Sequence, residues 1–160
     1  IGEQIRHLRE LGIPFEIVPG VTATAACAAL LGAELTLPDV SQSVILTRYA
    51  DKTEMPAGEE LGSLAQHGAT MAIHLGVKHL QKILAELRPH YGADCPIAVI
   101  HRATWPDQDW VVGTLEDIAD KVEAKGFRRT ALILVGRVLG SEQFSESSLY
   151  RAGHAHLYRP

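Results

Sequence analysis

The chain opens on Ile1, Ile5, Leu8 and Leu11, apolar positions at helical spacing, which predict an amphipathic helix running to Leu11 and closed by Gly12. Phe15–Val18 is a short, partly β-branched run that suits a buried strand, and Pro19-Gly20 ends it with a turn. Ala23, Ala25, Ala26, Cys27, Ala28 and Ala29 then predict a helix with almost no side-chain bulk, so a ligand could lie close to its backbone. Thr22 or Thr24 is its N-cap and Gly32 its C-terminal cap. The segment Ala33–Gln42, with Pro38, reads as a linker. Ser43–Arg48 follows as a strand, then a polar loop of lid-like composition through Asp51, Lys52, Pro56 and Gly58, and a short helix near Glu59–Gln66.

Thr70–Leu75 is apolar enough for a central strand, and Leu80, Ile83, Leu84 and Leu87 share one face of a helix over Lys78–Leu87. Pro96–Ile100 predicts the next strand, with a loop rich in His, Arg, Trp and Asp from His101 to Trp110. Thr114 with Asp117 resembles a capping box that opens a helix over Leu115–Lys125, closed by Gly126. Ala131–Val135 is the last clear core strand and ends in Gly136. In the tail, Tyr150, Ala152, His154, His156 and Tyr158 alternate, which predicts an added edge strand.

Strands separated by helices throughout argue for an α/β layered architecture. With a mostly parallel sheet, strand C-termini near Arg48, Leu75, His101 and Gly136 converge on one edge, where such sheets bind ligands. The bland alternative for the Pro19-Gly20 turn is a plain βα connection with an Ala-rich packing helix.

Composition narrows the partners. At 160 residues the chain is long enough for one domain, or for one domain and a piece of another, and its apolar fraction of 46% is globular. A formal charge of −4 disfavours nucleic acid and acidic membrane surfaces as general partners. No apolar run approaches the roughly 20 residues needed to span a membrane. Two lone cysteines make no disulfide framework and the start has no signal-peptide pattern, so a reducing cytoplasm is the expected compartment. The start at Ile1, directly on a helix, reads as truncated or processed.

Of the familiar chemical strings, G-x-G-x-x-G, G-x-x-x-x-G-K-[ST] and G-x-S-x-G are all missing. The eight histidines contain a single close pair, His154 and His156, and two ligands do not close a metal site. Cys27 and Cys95 read as small buried residues rather than nucleophiles. His74, in an apolar strand, reads as a satisfied core histidine that also points toward the cleft end. Basic residues at strand ends, Arg48, His101, Arg102 and Arg137, could together clamp carboxylates. Arg128 and Arg129 read as ordinary loop charges.

Val18-Pro-Gly-Val-Thr-Ala, Leu35-Thr-Leu-Pro with Ser41-Gln-Ser-Val, and Ala131-Leu-Ile-Leu-Val-Gly-Arg-Val together resemble the tetrapyrrole methylase family, in family order over nearly the whole chain. Within that family, Ala69–Val77 and the closing Ser147–Pro160 look most like the branch that methylates precorrin-4 at carbon 11 in cobalamin biosynthesis. The resemblance implies two α/β domains with S-adenosylmethionine folded between them, S-adenosylhomocysteine as product, a precorrin as substrate and a homodimer. It implies that Thr22, Ala23, Leu75, Ala103, Thr130 and Ala131 contact the cofactor, mostly through backbone and packing. No catalytic dyad is implied, because the donor already carries an activated methyl. Arg48, His101, Arg102 and Arg137 become candidates for the acetate and propionate groups of the macrocycle.

The family's Gly-rich first loop and G-D-P loop are missing from this sequence. Residues 1–37 therefore read as a helix-strand-helix remnant of the first domain, and residues 38–160 as the second, a layered α/β/α domain. On that reading the segment alone methylates nothing. Two other readings stay open: methylation of another precorrin or of uroporphyrinogen III, and a non-catalytic tetrapyrrole-binding or dimerisation domain.

Overall fold

A computed structural model describes residues 1–141 of the chain. Five strands form one sheet in the order β1-β2-β5-β3-β4: β1 Val44–Arg48, β2 Thr70–His74, β5 Ala131–Val135, β3 Pro96–His101 and β4 Asp109–Thr114. β1 and β2 run parallel, whereas β5 is antiparallel to both β2 and β3, and β4 is antiparallel to β3. The expectation of a mostly parallel sheet is therefore corrected. β1, β2 and β3 share one direction and β4 and β5 the other, so the C-terminal ends of the first three meet the N-terminal ends of the last two.

Period-two alternation divides the side chains between two cores. Met71, Ile73, Ile97, Val99, Ile133 and Val135 point to one face and are buried against α3 Leu61–Ala65, α4 Leu80–Tyr91 and α5 Ile118–Lys125. Ala72, Ala98, Ile100, Leu132 and Leu134 point to the other face, where Cys27 of α2 Ala23–Leu31 packs on them. The result is an α/β/α layering in which a single small-residue helix covers the centre of the second face. Toward the sheet edges that face carries exposed Leu46 and Val112.

Local signals explain α2. The Thr22 hydroxyl accepts from the Ala25 N–H at 3.3 Å, and Gly32 closes the helix in the left-handed conformation that a side chain disfavours, at φ 60°. The first helix, α1 Gly2–Glu10, buries no residue. Phe15–Val18 is not a strand, because a strand is defined by its ladder and no neighbour among the described residues offers one; Ile17 and Val18 stay exposed. The linker segment is compact, with Leu37 buried and bridged to Ser41.

Two further corrections concern the second half. The loop expected from His101 to Trp110 ends at Gln108, since Asp109 and Trp110 already belong to β4 and pair with His101 and Ile100. The helix expected from Leu115 begins at Ile118; Asp117 does reach back, its carboxylate accepting from the Thr114 N–H at 2.8 Å. The tail strand and the His154/His156 pair lie outside the described residues.

The larger core also holds polar atoms. The Tyr91 hydroxyl donates to the Ala69 carbonyl at 2.5 Å, tying the end of α4 to the start of β2. Burial pushes this phenol up to about 12 and the thiols of Cys27 and Cys95 up to about 11 each. All three are raised above their ordinary values of 10.0 and 9.0. Their contribution to stability is thus complete below pH 9 and is lost as pH rises toward 11. We expect the urea midpoint to hold between pH 7 and 9 and to fall from pH 9 to 10.5, with Cys95→Ala flattening that decline; a midpoint independent of pH over the upper range contradicts this assignment.

Candidate functional site

The edge where β1, β2 and β3 end and β4 and β5 begin carries a cavity of about 710 Å³. Ala23, Ala26 and Cys27 of α2 form one wall, His74 and Leu75 the next, and Ile100, Arg102, Ala103, Thr104 and Trp105 another. Arg128, Arg129, Thr130, Ala131 and Leu132 complete it at the start of β5. Its size suits a small-molecule ligand, for which clefts of roughly 300–1,000 Å³ are usual.

The backbone here is unusual. Among the described residues five non-glycine positions have positive φ, and four of them line this cavity: Leu75 at 57°, Arg102 at 50°, Thr104 at 72° and Thr130 at 53°. Each costs on the order of 1–2 kcal/mol relative to ordinary backbone. Strain of this kind persists where the surroundings over-determine it, which is characteristic of ligand sites. The turned segments are tied to each other, since the Arg102 N–H donates to the Thr130 carbonyl at 2.9 Å, one step beyond the β3–β5 ladder.

Side chains hold the walls. Thr24, 5% exposed, lies 3.3 Å from His74 through Oγ1 and Nε2, linking α2 to the end of β2 immediately before Leu75. His74 therefore has the satisfying partner its apolar strand predicts. Arg102 pairs with Asp107 at 2.7 Å and lies over the Trp105 ring at 4.3 Å. The Thr104 N–H donates to Gln108 Oε1 at 2.8 Å, closing the same loop on itself. His79 approaches Asp51 at 3.3 Å and stacks on Tyr49. Burial pushes the Cys27 thiol up to about 11, which favours its neutral, poorly nucleophilic form on the α2 wall at neutral pH.

Five of the six residues expected at a cofactor line this cavity: Ala23, Leu75, Ala103, Thr130 and Ala131. Thr22 stands beside them, its hydroxyl engaged in capping α2. The four expected carboxylate clamps are not brought together. Arg102 alone lines the cavity. Arg48 donates to the Tyr49, Thr53 and Glu54 carbonyls and lines a separate cavity of about 400 Å³, so it pins the 49–54 loop. His101, one residue on from Ile100, points to the opposite face and stacks on Phe127 at 4.9 Å.

Arg137 follows β5 and, because β5 runs antiparallel to β2 and β3, lies at the other edge of the sheet. There it holds both Asp94 carboxylate oxygens, at 2.7 and 3.0 Å, and the Tyr91 carbonyl at 2.8 Å. This guanidinium keeps the Asp94 carboxyl below its usual range. The convergence on which its candidacy rested is thus overturned by strand direction. The same reversal brings Arg128 and Arg129 to the cavity. Sequence reasoning also missed Lys78, His79 and Trp105, whose proximity depends on which strands are neighbours.

Residues 1–119 match the model of the tetrapyrrole (corrin/porphyrin) methylases. The chain belongs to that family. It is 76% identical over 160 residues to a precorrin-4 C(11)-methyltransferase of Pseudomonas aeruginosa, covering 100% of this chain and 64% of that protein. Among solved structures, a cobalt precorrin-4 methyltransferase of cobalamin biosynthesis superposes with a TM-score of 0.82 at 41% identity, over 86% of this chain and 58% of that one. A uroporphyrin-III C-methyltransferase from Thermus thermophilus, complexed with S-adenosylhomocysteine, gives 0.66 at 27% identity over 87% and 60%. The chain spans just under two thirds of the length of the curated relative.

If the left-handed turns are strained as described, Leu75→Gly relieves one of them. Leu75 is 78% exposed, so little burial is lost. We expect the variant to be more stable by about 0.5–1 kcal/mol in chemical denaturation; destabilisation would show that the turn carries no such strain.

Proposed function

We propose that this chain supplies one wall of an S-adenosylmethionine site in an enzyme that methylates carbon 11 of precorrin-4 or its cobalt form. The observation that carries the reading is the cavity at the β1/β2/β3 edge, where five residues expected from family resemblance converge. The donor set fits the group. Ala23, Ala26 and Ala103 leave room for a bulky nucleoside, and the left-handed Leu75 and Thr130 line the same cavity with Ala131, which suits a ligand held by backbone groups and packing more than by side-chain chemistry.

When bound, S-adenosylmethionine supplies a sulfonium-activated methyl, so the protein's task is placement and exclusion of water. In this chain α2 closes the cavity from the second face of the sheet, and the Thr24–His74 link holds it there. Leu75 and Trp105 present apolar surface at the mouth, and the neutral Cys27 thiol leaves the methyl to the substrate. Well-oriented reactants of this kind reach effective molarities of roughly 10⁵–10⁸ M without an acid or a base.

Within the proposal, residues 1–37 belong to the first domain and residues 38–160 to the second. The exposed α1 and the unpaired segment Phe15–Val18 support this, because both have the sequence pattern of packed elements and neither buries a residue among the described residues. We further propose that the complete enzyme is a cytoplasmic homodimer. Among the described residues, no helix is long and apolar enough to cross a membrane.

The test uses the chain completed to the length of its relatives. S-adenosylhomocysteine is expected to change the fluorescence of Trp105, which is 53% exposed on the cavity, and Trp105→Phe is expected to remove the change. Methyl transfer to precorrin-4 with little transfer to uroporphyrinogen III supports the reading, and the reverse preference overturns the substrate. Calorimetry that shows macrocycle binding without cofactor binding would favour the non-catalytic alternative.

A further inference from the structure

Three cations on the cavity have no partner among the described residues. Lys78 lies in the 3₁₀ turn Val77–His79 after β2, and Arg128 and Arg129 lie between α5 and β5. All three are exposed, and among the described residues none makes an ion pair or a side-chain hydrogen bond. Neighbouring cations are engaged: Arg102 by Asp107, Lys125 by Asp109, and Arg48 by loop carbonyls. Among the described residues the one acid lining the cavity, Asp51, faces His79. A chain of formal charge −4 thus gathers, among those residues, three cations without an ion-pair partner at this mouth.

The charge also has a direction. A second cavity, of about 250 Å³, adjoins the first; the two share Val77, Lys78, His79 and Arg128, and the second adds Lys82 and one acid, Glu123, so the cations outnumber the acids along both. Lys78 and Arg128 therefore sit on the seam, where a ligand longer than the inner cavity would emerge. Resting on the methylase reading above, we propose that Lys78, Arg128 and Arg129 form a carboxylate-binding rim that takes acidic side chains of the macrocycle. These residues then select polycarboxylated over decarboxylated tetrapyrroles.

The same chemistry could come from the carboxylate of the methyl donor. That molecule also carries a sulfonium and an ammonium, both repelled by three unpaired cations, whereas a polycarboxylate gains from each of them. Arginine adds bidentate geometry for a carboxylate, and lysine a mobile point charge. Neither role demands burial. The interaction is accordingly one that salt weakens, since exposed pairs separated by more than about 8–10 Å are screened at ordinary ionic strength.

The experiment titrates uroporphyrin III, a stable porphyrin with carboxylate side chains, into the completed chain by fluorescence, and S-adenosylhomocysteine by calorimetry. The Lys78→Ala, Arg128→Ala, Arg129→Ala triple variant is expected to bind uroporphyrin about tenfold more weakly at low salt, with the gap closing at 0.5 M salt. Its affinity for S-adenosylhomocysteine is expected to fall several-fold less than its affinity for uroporphyrin, and Arg128→Lys with Arg129→Lys is expected to retain most of the porphyrin affinity. Unchanged porphyrin binding by the triple variant overturns the rim, as does absence of porphyrin binding by the unsubstituted protein. A parallel loss of S-adenosylhomocysteine affinity moves these residues to the cofactor. Failure of methyl transfer with porphyrin binding intact counts against the enzyme reading and leaves the rim standing.

Discussion

Everything at the site depends on the direction of β5. Inserted between β2 and β3 and antiparallel to both, it completes the ladder at the centre of the sheet through Ile133, Leu134 and Val135 on one side and Ala131 to Val135 on the other. A parallel strand in that position would carry its C-terminal end, Gly136 and Arg137, to the edge where β2 and β3 finish. The antiparallel strand carries Arg128 to Ala131 there instead. One ladder thereby decides which cations face the cavity and which are structural at the far edge.

The second constraint is the covering of the sheet's α2 face. Ala72, Ala98, Ile100, Leu132 and Leu134 form a buried apolar surface, and α2 meets it with residues too small to fill the space at the strand ends. A helix with Leu or Phe in place of Ala23 and Ala26 would occupy the cavity itself. Small residues are therefore both the packing solution and the origin of the pocket, and the Thr24–His74 contact fixes how close the helix stands. The four left-handed residues lie where the chain leaves β2 at Leu75, leaves β3 at Arg102 and Thr104, and enters β5 at Thr130, all on this edge. Stability is given up locally to keep the edge open, as is common where ligands bind.

Much of this was legible in the residues. Period-two and helical spacing placed β1, β2, β3 and β5 and the helices α2, α4 and α5 to within a few positions, because each buries a continuous face. Asp109–Thr114 was misread because its Trp and Val alternation is interrupted by Gly113 and follows a polar loop, although its aromatic and β-branched content was a usable strand signal. Phe15–Val18 has the composition of a strand, but composition cannot supply a partner. Strand direction was lost with β4. A short loop from β3 to a neighbouring strand implies an antiparallel pair, and α5 then leads from β4 to a β5 that runs the same way as β4; with β4 read as loop and capping turn, β5 was assigned the direction of β3, so Arg137 and Arg128 exchanged roles. Ala103, Thr130 and Ala131 contribute shape and backbone, which leave no chemical signature, and only resemblance to a family pointed to them.

The proposed cofactor site lies at the edge where β1, β2 and β3 end and β5 begins, and amide hydrogen exchange of the completed chain, with and without S-adenosylhomocysteine, reports on it peptide by peptide. Added protection is expected in peptides covering 21–27, 74–79, 100–105 and 128–132, and none around 91–96 and 136–140. Protection confined to the Asp94–Arg137 edge, or absent from the α2 and β5 peptides, would contradict it.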